Sequence, residues 1–282
     1  MLGRQINRNF FIHMKGITVY VLLASAGALV VSLATAYAIY CLSDVSLTTA
    51  LIGGAAGGVT EMATLGLSMK ADVVAILFMQ ILRLILAIAF SSKIAVFIAK
   101  AVPGKTARIR LQPNVEELFF QKHDYVLLAG AAFAGAYFFD TLKIPNGIMM
   151  GAITACGLLA VSVRKTYRFE PKARYAVQIS MGLILGHYIT SDVAGELQRL
   201  LITGFAASLV AIAGSVLMAI LLYKLSPLDI VTCILCTSIA GVSQANFLAE
   251  EMGADALVIS IFQICRLLSI LAFYPWIVTA IA

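Results

Sequence analysis

ADVVAILFMQILRLIL, residues 71–86, and ADALVISIFQICRLLS, residues 254–269, decide how this chain is read. Each is an almost wholly apolar run that carries a glutamine and, three residues later, an arginine: Gln80 and Arg83 in the first, Gln263 and Arg266 in the second. Asp72 and Asp255 open the two runs, and the matched positions keep one interval without a gap (255 − 72 = 183). Gly58/Gly241, Val59/Val242, Thr60/Ser243, Ile81/Ile264, Leu84/Leu267 and Phe90/Phe273 fall in the same register. Self-similarity of this kind reads as an internal duplication.

The interval exceeds half of the 282 residues, so one copy must be incomplete. LGRQI at 2–6 aligns with LGHYI at 185–189, which starts the first copy partway through its third helix. Either the true start lies upstream of Met1 or the first half works in shortened form.

Apolar residues make up 61% of the chain and charged residues 12%, against about 25% charged in soluble domains. Mean hydropathy is +0.98. Several runs reach the roughly 20 residues a helix needs to cross the hydrocarbon core. Spans are expected at 17–40, 71–99, 125–139, 144–163, 175–190, 201–222 and 254–281. Two further segments, 48–67 with GGAAGG and 229–248 with TSIAGVSQ, mix small and polar residues in the manner of broken or re-entrant helices. Such breaks are tolerated only where protein or a wet cavity satisfies the freed backbone. The expected fold is all-α, a polytopic transmembrane bundle of two related repeats with broken or re-entrant helices. Its organisation is an incomplete first membrane repeat at 1–100, a basic cytoplasmic loop at 101–124 and a second membrane repeat at 125–282.

The net charge of +6 comes from three short segments: Arg4, Arg8 and Lys15; Lys93 through Lys122; and Arg164 through Arg174. Basic loops beside membrane helices report orientation, not a nucleic-acid partner. Re-entrant breaks give five crossings per period, invert the second copy and keep every basic segment on the cytoplasmic side. Fully crossing breaks give six and a parallel arrangement, with Arg4, Arg8 and Lys15 outside. The charge rule favours the inverted form. The N-terminus shows no signal-peptide pattern. The five cysteines lie in or beside apolar runs, and Cys233-x-x-Cys236 reads as packing rather than as a redox pair.

Gln80 and Arg83 are helical neighbours, and Arg83 lies within about 20° of the face of Asp72, roughly 16 Å along the axis. A charge at membrane depth costs about 2.5–3.5 kcal/mol on insertion scales and should have a partner. Glu61 is the expected partner of Arg83; at its counterpart stands Gln244, which leaves Arg266 less compensated. The functional expectation is a pocket for a small anionic or zwitterionic solute. Glu61, Gln80, Arg83, Gln244, Gln263 and Arg266 bind the solute, turns at Gly57, Gly58 and Gly241 offer backbone amides, and Asp72 and Asp255 couple an ion. The competing expectation is that the same polar groups are hydrogen-bonding glue between helices.

Other features are weaker. His187 near Asp192 could titrate near neutral pH, and Glu250, Glu251 and Asp255 form an acidic cluster that reads as a solvated connection. His13, His123 and His187 show no ligand pairing, and no metal site, cofactor motif or catalytic residue is expected.

The pair GGVTEM…ADVVAILFMQILR and AGVSQANFLAEEMGADALVISIFQICR resembles the internally duplicated AbrB-type family of bacterial membrane proteins, over nearly the whole chain. That family usually shows Pro-Gly-Gly and Glu-Met in each copy; here Ala56 and Ile239 replace the proline, and Gln244 and Ala245 replace Glu-Met. The resemblance implies the bacterial inner membrane. Members are described as regulators of gene expression and as ammonia monooxygenases, and the architecture is similar to secondary transporters of the cation/proton antiporter and bile-acid symporter type.

The first expectation is therefore a non-enzymatic secondary transporter or exporter in the lipid bilayer, compatible with a homo-oligomer. The alternative is a membrane-embedded regulator acting through a partner, because the basic loop at 101–124 is too short for a folded DNA-binding module. A monooxygenase lacks candidate metal ligands.

Overall fold

The computed structural model describes residues 8–101, 117–119, 122–142, 147–163, 166–168, 179–180, 183, 194–239 and 241–281. Helices dominate: α1 (Arg8–Leu42), α2 (Leu47–Gly54), α3 (Val59–Ser68), α4 (Val73–Ala101), α5 (Lys122–Thr141), α6 (Gly147–Val163), α7 (Ala194–Leu225), α8 (Ile230–Thr237), α9 (Val242–Met252) and α10 (Ala256–Ile281). Three-residue strands β1 (Glu117–Phe119) and β2 (Thr166–Arg168) pair in parallel. The fold is all-α apart from this small ladder.

Length and composition explain the long helices. Gly16–Leu42, Val73–Ile98, Arg199–Leu225 and Ala256–Ile281 are 26 or 27 residues of high hydropathy, long and apolar enough to cross a membrane. Their outward faces keep large apolar side chains exposed: Val19, Tyr37, Ile202, Leu217, Phe273 and Trp276 are all more than half accessible. In water such a surface would be a liability; against lipid it is the favourable face.

The short helices arise where the sequence supplies caps and small residues. Ser46 caps α2 by accepting from Thr49 N, and Asp229 caps α8 by accepting from Thr232 N. Asp72 Oδ1 accepts from Val74 N and Ala75 N at the start of α4, and Asp255 Oδ1 from Leu257 N and Val258 N at the start of α10. Each side-chain oxygen takes up donors that the first helical turn leaves unpaired. Gly54 is required by close approach, since a Cβ there would come within 2.6 Å of the Ala36 backbone nitrogen on α1.

Contacts divide the chain into two compact units. One, Met1–Gly16 with Gln112–His187, contains α5, α6 and the ladder. Its two helices pack closely at glycines: a Cβ on Gly135 would overlap the Gly151 carbonyl, and one on Gly151 the Gly135 carbonyl. Small residues at such a crossing let backbones approach where lipid provides no hydrophobic drive. The other unit, Ile17–Leu111 with Tyr188–Ala282, holds α1 from Ile17 onward together with α2–α4 and α7–α10. There α4 packs on α2, α3, α7 and α8, while α10 packs on α8 and α9. Its core includes Ile39, Ala50, Ala75, Met79, Leu200 and Ala207 in one cluster and Ala95, Ala219, Ile230 and Ile234 in another.

The spans expected at 17–40, 71–99, 201–222 and 254–281 coincide with α1, α4, α7 and α10, and those at 125–139 and 144–163 with α5 and α6. Both irregular segments are broken helices: α2 ends at Gly54 before α3 starts at Val59, and α8 ends at Thr237 before α9 starts at Val242. The span expected at 175–190 lies outside the described residues except for 179–180 and 183, as do His187 and Asp192.

Candidate solute site at two helix breaks

A helix that stops inside a bundle leaves carbonyls without partners. At the first break these are met from α4. Gln80 Nε2 donates to the carbonyls of Ile52 (3.2 Å), Gly53 (3.1 Å) and Ala55 (3.0 Å). Arg83 Nη1 also donates to Ala55 O, and Nη2 donates to Gly57 O at 2.7 Å. Three residues on a helix make about one turn, so the amide and the guanidinium sit side by side over the end of α2. A cation there also complements the negative end of the helix, worth about 0.3–1 kcal/mol and up to about 2 in partly buried settings.

At the second break the same construction recurs from α10. Gln263 Nε2 donates to the carbonyls of Leu235 (2.8 Å), Cys236 (3.5 Å) and Ser238 (2.9 Å), and Arg266 Nη1 to Ser238 O at 2.6 Å. Each acceptor is the residue 183 positions after its counterpart in the first break. One bond departs from the pattern: Arg266 Nη2 donates to Gln263 Oε1 at 2.6 Å, where Arg83 Nη2 reaches a carbonyl. In consequence Gln80 Oε1 has no partner, whereas Gln263 Oε1 has one.

All four side chains are buried, the glutamines fully and the arginines to 5% and 7% accessibility. Nε of each arginine has no acceptor. Among the described residues neither guanidinium is ion-paired, so each charge is met by backbone carbonyls and, at Arg266, by an amide oxygen. A cavity of about 20 Å³ adjoins Arg266, which lines it with Ala56, Cys236, Thr237, Ile239 and residues of α1 and α7. That volume holds about one water.

The expected pairing of Glu61 with Arg83 is not formed: among the described residues no ion pair joins them. The Arg83 charge is met by carbonyls released at the break, and Glu61 Oε2 accepts instead from Thr60 Oγ1 at 2.8 Å. The carboxylate lies over the start of its own helix, where a Cβ on Gly58 would overlap it. Gln244 takes the corresponding place at the second break, its Oε1 3.3 Å from where a Cβ on Gly241 would be. Gly241 adopts φ +90°, a conformation only glycine takes readily, and Gly58 has φ −77°.

Asp72 and Asp255 cap the N-termini of α4 and α10. Asp72 lines a second, larger cleft of about 510 Å³ together with Asp44, Ser46, Thr49 and Arg199. Asp44 and Arg199 form an exposed ion pair at 3.8 Å, of little energetic weight. Among the described residues, no three His, Cys, Asp or Glu side chains come together as a metal-ligand group.

Six contributing residues were not singled out from the sequence. Ser46 with Thr49, and Asp229 with Thr232, sit at the common interval, but serine against aspartate hides the correspondence from an identity match. Ser32 Oγ accepts from Ala56 N at 2.9 Å inside the first break. Tyr274 on α10, fully buried, donates to Leu51 O on α2 at 2.8 Å and joins the two halves; its counterpart is Ser91, so the repeat offered no signal.

The chain is similar to a Bacillus subtilis (strain 168) protein described as uncharacterized protein YhjN, 22% identical over 265 residues, which are 88% of this chain and 67% of the relative. No solved structure matches. The sequence model described as transition state regulatory protein AbrB matches residues 1–282, and the chain belongs to the AbrB family.

Proposed function

We propose that this protein is a secondary transporter or exporter of a small anionic or zwitterionic solute in the bacterial inner membrane, built from two duplicated and inverted repeats. The carrying observation is the pair of equivalent helix breaks, each closed by a buried glutamine and arginine at the same interval. Broken helices meeting at the centre of a repeat protein are a recurrent design for solute sites. Intramembrane arginines mark solute or ion paths by default. Contact between counterparts also supports the duplication: a Cβ on Gly214 would lie 2.8 Å from the Val31 side chain, and Val31 is the residue 183 positions earlier. The charge rule supports inversion.

In this reading Arg83, Gln80, Arg266, Gln263, Glu61 and Gln244 line the solute path, the backbone at Gly57, Gly58 and Gly241 approaches the solute, and Asp72 and Asp255 govern ion coupling at its ends. No enzymatic step, cofactor or nucleic-acid contact is required. Proteoliposomes loaded with the protein should accumulate a small anion or amino acid, with uptake lost in Arg83→Ala and Arg266→Ala. Uptake unchanged in both variants would sink the reading.

The family description favours a second reading, a membrane-embedded regulator acting through a protein partner. Cross-linking in membranes would then trap a partner whose yield is insensitive to solute; absence of any adduct weighs against it.

A further inference from the structure

We infer that the cleft of about 510 Å³ at the ends of α1, α2, α4 and α7 recognises a zwitterion, an ammonium and an anionic group carried on a small apolar body. The inference rests on the transport reading for the solute's onward passage, and it narrows that solute from anionic or zwitterionic to zwitterionic.

The volume suits a small organic molecule, since binding clefts run to about 300–1,000 Å³ and set a few convergent polar groups in an apolar wall. Leu42, Val45, Leu200 and Ile202 form the wall. Asp44, Asp72 and Arg199 supply the charges. The hydroxyls are already engaged: Thr49 Oγ1 accepts from Asp72 N and bonds to Ser46 Oγ, and Thr203 Oγ1 donates to Leu42 O and Arg199 O. Recognition therefore falls to the charged groups. Two carboxylates against one guanidinium disfavour a bare anion, and a bare cation leaves the arginine without a use. A molecule carrying both signs serves all three through charge-assisted hydrogen bonds.

Folding does not account for these charges. Ser46, not Asp44, caps α2. The Asp44 and Arg199 side chains are 100% and 85% accessible, and so exposed a pair adds little to stability. Asp72 spends Oδ1 on the first turn of α4; among the described residues its Oδ2 takes no donor. At the common interval Thr49 and Asp72 have identical counterparts in Thr232 and Asp255, whereas Asp44 and Arg199 correspond to Pro227 and Gly16. The capping residues recur and the ion pair does not. The cleft also stands where a solute arrives. Leu42, Val73 and Arg199 are terminal residues of three spans, and Lys15, Lys100 and Lys224 lie towards the opposite ends of α1, α4 and α7. Basic residues mark the cytoplasmic side, which sets the cleft on the outer face.

The test is calorimetric binding to the detergent-purified full chain, with L-leucine, isopentylamine and 4-methylpentanoate as probes. The last two are leucine without its carboxylate and leucine without its ammonium. Wild type is expected to bind leucine most tightly and 4-methylpentanoate least. Asp44→Asn should weaken leucine and isopentylamine alike, by about fivefold or more. Arg199→Gln should weaken leucine to the same extent and leave isopentylamine no weaker. Both side chains are exposed, so neither substitution endangers the fold. A zwitterion reaches such a cleft as a free amino acid or as an aminophospholipid headgroup, and glycerophosphoethanolamine is the fourth probe. Tighter binding of leucine assigns the free solute, and tighter binding of glycerophosphoethanolamine assigns the headgroup. The inference is overturned if 4-methylpentanoate binds as tightly as leucine, if Arg199→Gln weakens isopentylamine as much as leucine, if neither variant changes leucine binding, or if wild type binds neither zwitterion. Binding in the expected pattern without uptake into proteoliposomes sinks the transport reading alone. Uptake of a solute lacking an ammonium, by a protein that binds no zwitterion, sinks this inference alone.

Discussion

The two helix breaks are alike in how the ending helix is closed and different in how the following helix begins. Both glutamines serve three carbonyls, both arginines share the last of these, and the two sets are related by the same sequence interval. The differences are confined to the other side of each break. Arg83 reaches a second carbonyl while Arg266 turns to Gln263, and a carboxylate stands at the first where an amide stands at the second. Closing a broken helix is a requirement common to both breaks. Neutralising the following helix is not, and the two breaks differ there.

The largest effect should come from removing the shared carbonyl donor. Gln80→Leu leaves Gly53 O without its donor and Gln263→Leu leaves Leu235 O and Cys236 O, because the third carbonyl keeps its arginine and Ile52 O keeps Ala55 N; each orphaned group costs about 1–3 kcal/mol. Each should lower stability by roughly 2 kcal/mol in detergent unfolding. A break that tolerates leucine is not held as described. Next comes a difference between the arginines. Arg83→Ala orphans Gly57 O, whereas Arg266→Ala leaves Ser238 O bonded to Gln263 and frees only a side-chain oxygen that can reorient. Arg83→Ala should therefore be about 1 kcal/mol the more damaging, and the opposite order would contradict the assigned bonds.

Glycine substitutions sharpen the comparison further. Gly241→Ala forces a Cβ into a positive-φ extended conformation (φ +90°, ψ 162°) that essentially only glycine adopts, at about 1–3 kcal/mol. Gly58→Ala keeps a permitted backbone and need only displace the flexible Glu61 carboxylate. Parallel melting curves should show the larger loss for Gly241→Ala. The smallest effect is expected for Tyr274→Phe, about 1 kcal/mol for one hydrogen bond; a much larger loss would mean that the link to Leu51 holds the halves together.

Much of this architecture was legible because the same spaced residues stand twice in the sequence, 183 positions apart. The long spans follow from hydropathy, the breaks from small residues between polar ones, and the polar centre from Gln80 and Arg83 repeating as Gln263 and Arg266. What was not legible is whom those side chains serve. A search for a partner to Arg83 naturally selects the nearest acid, Glu61, yet the acceptors are backbone carbonyls freed by the break, which carry no side-chain signature. Helix caps hide similarly when serine and aspartate do the same work at Ser46 and Asp229. Tyr274 was invisible because it bonds across 223 residues and has no counterpart in the other copy.

The central claim is that these breaks line a path rather than merely plug the bundle. Cys236, buried beside Arg266 at the small cavity, reports on it directly. With the other four cysteines replaced, a small water-soluble thiol reagent applied to membranes should label Cys236, because a transporter must open its centre to water, and a bound solute should slow that labelling. If Cys236 stays unmodified over hours while the exposed Cys41 reacts readily in a matched variant, the breaks are sealed and the transport account is contradicted.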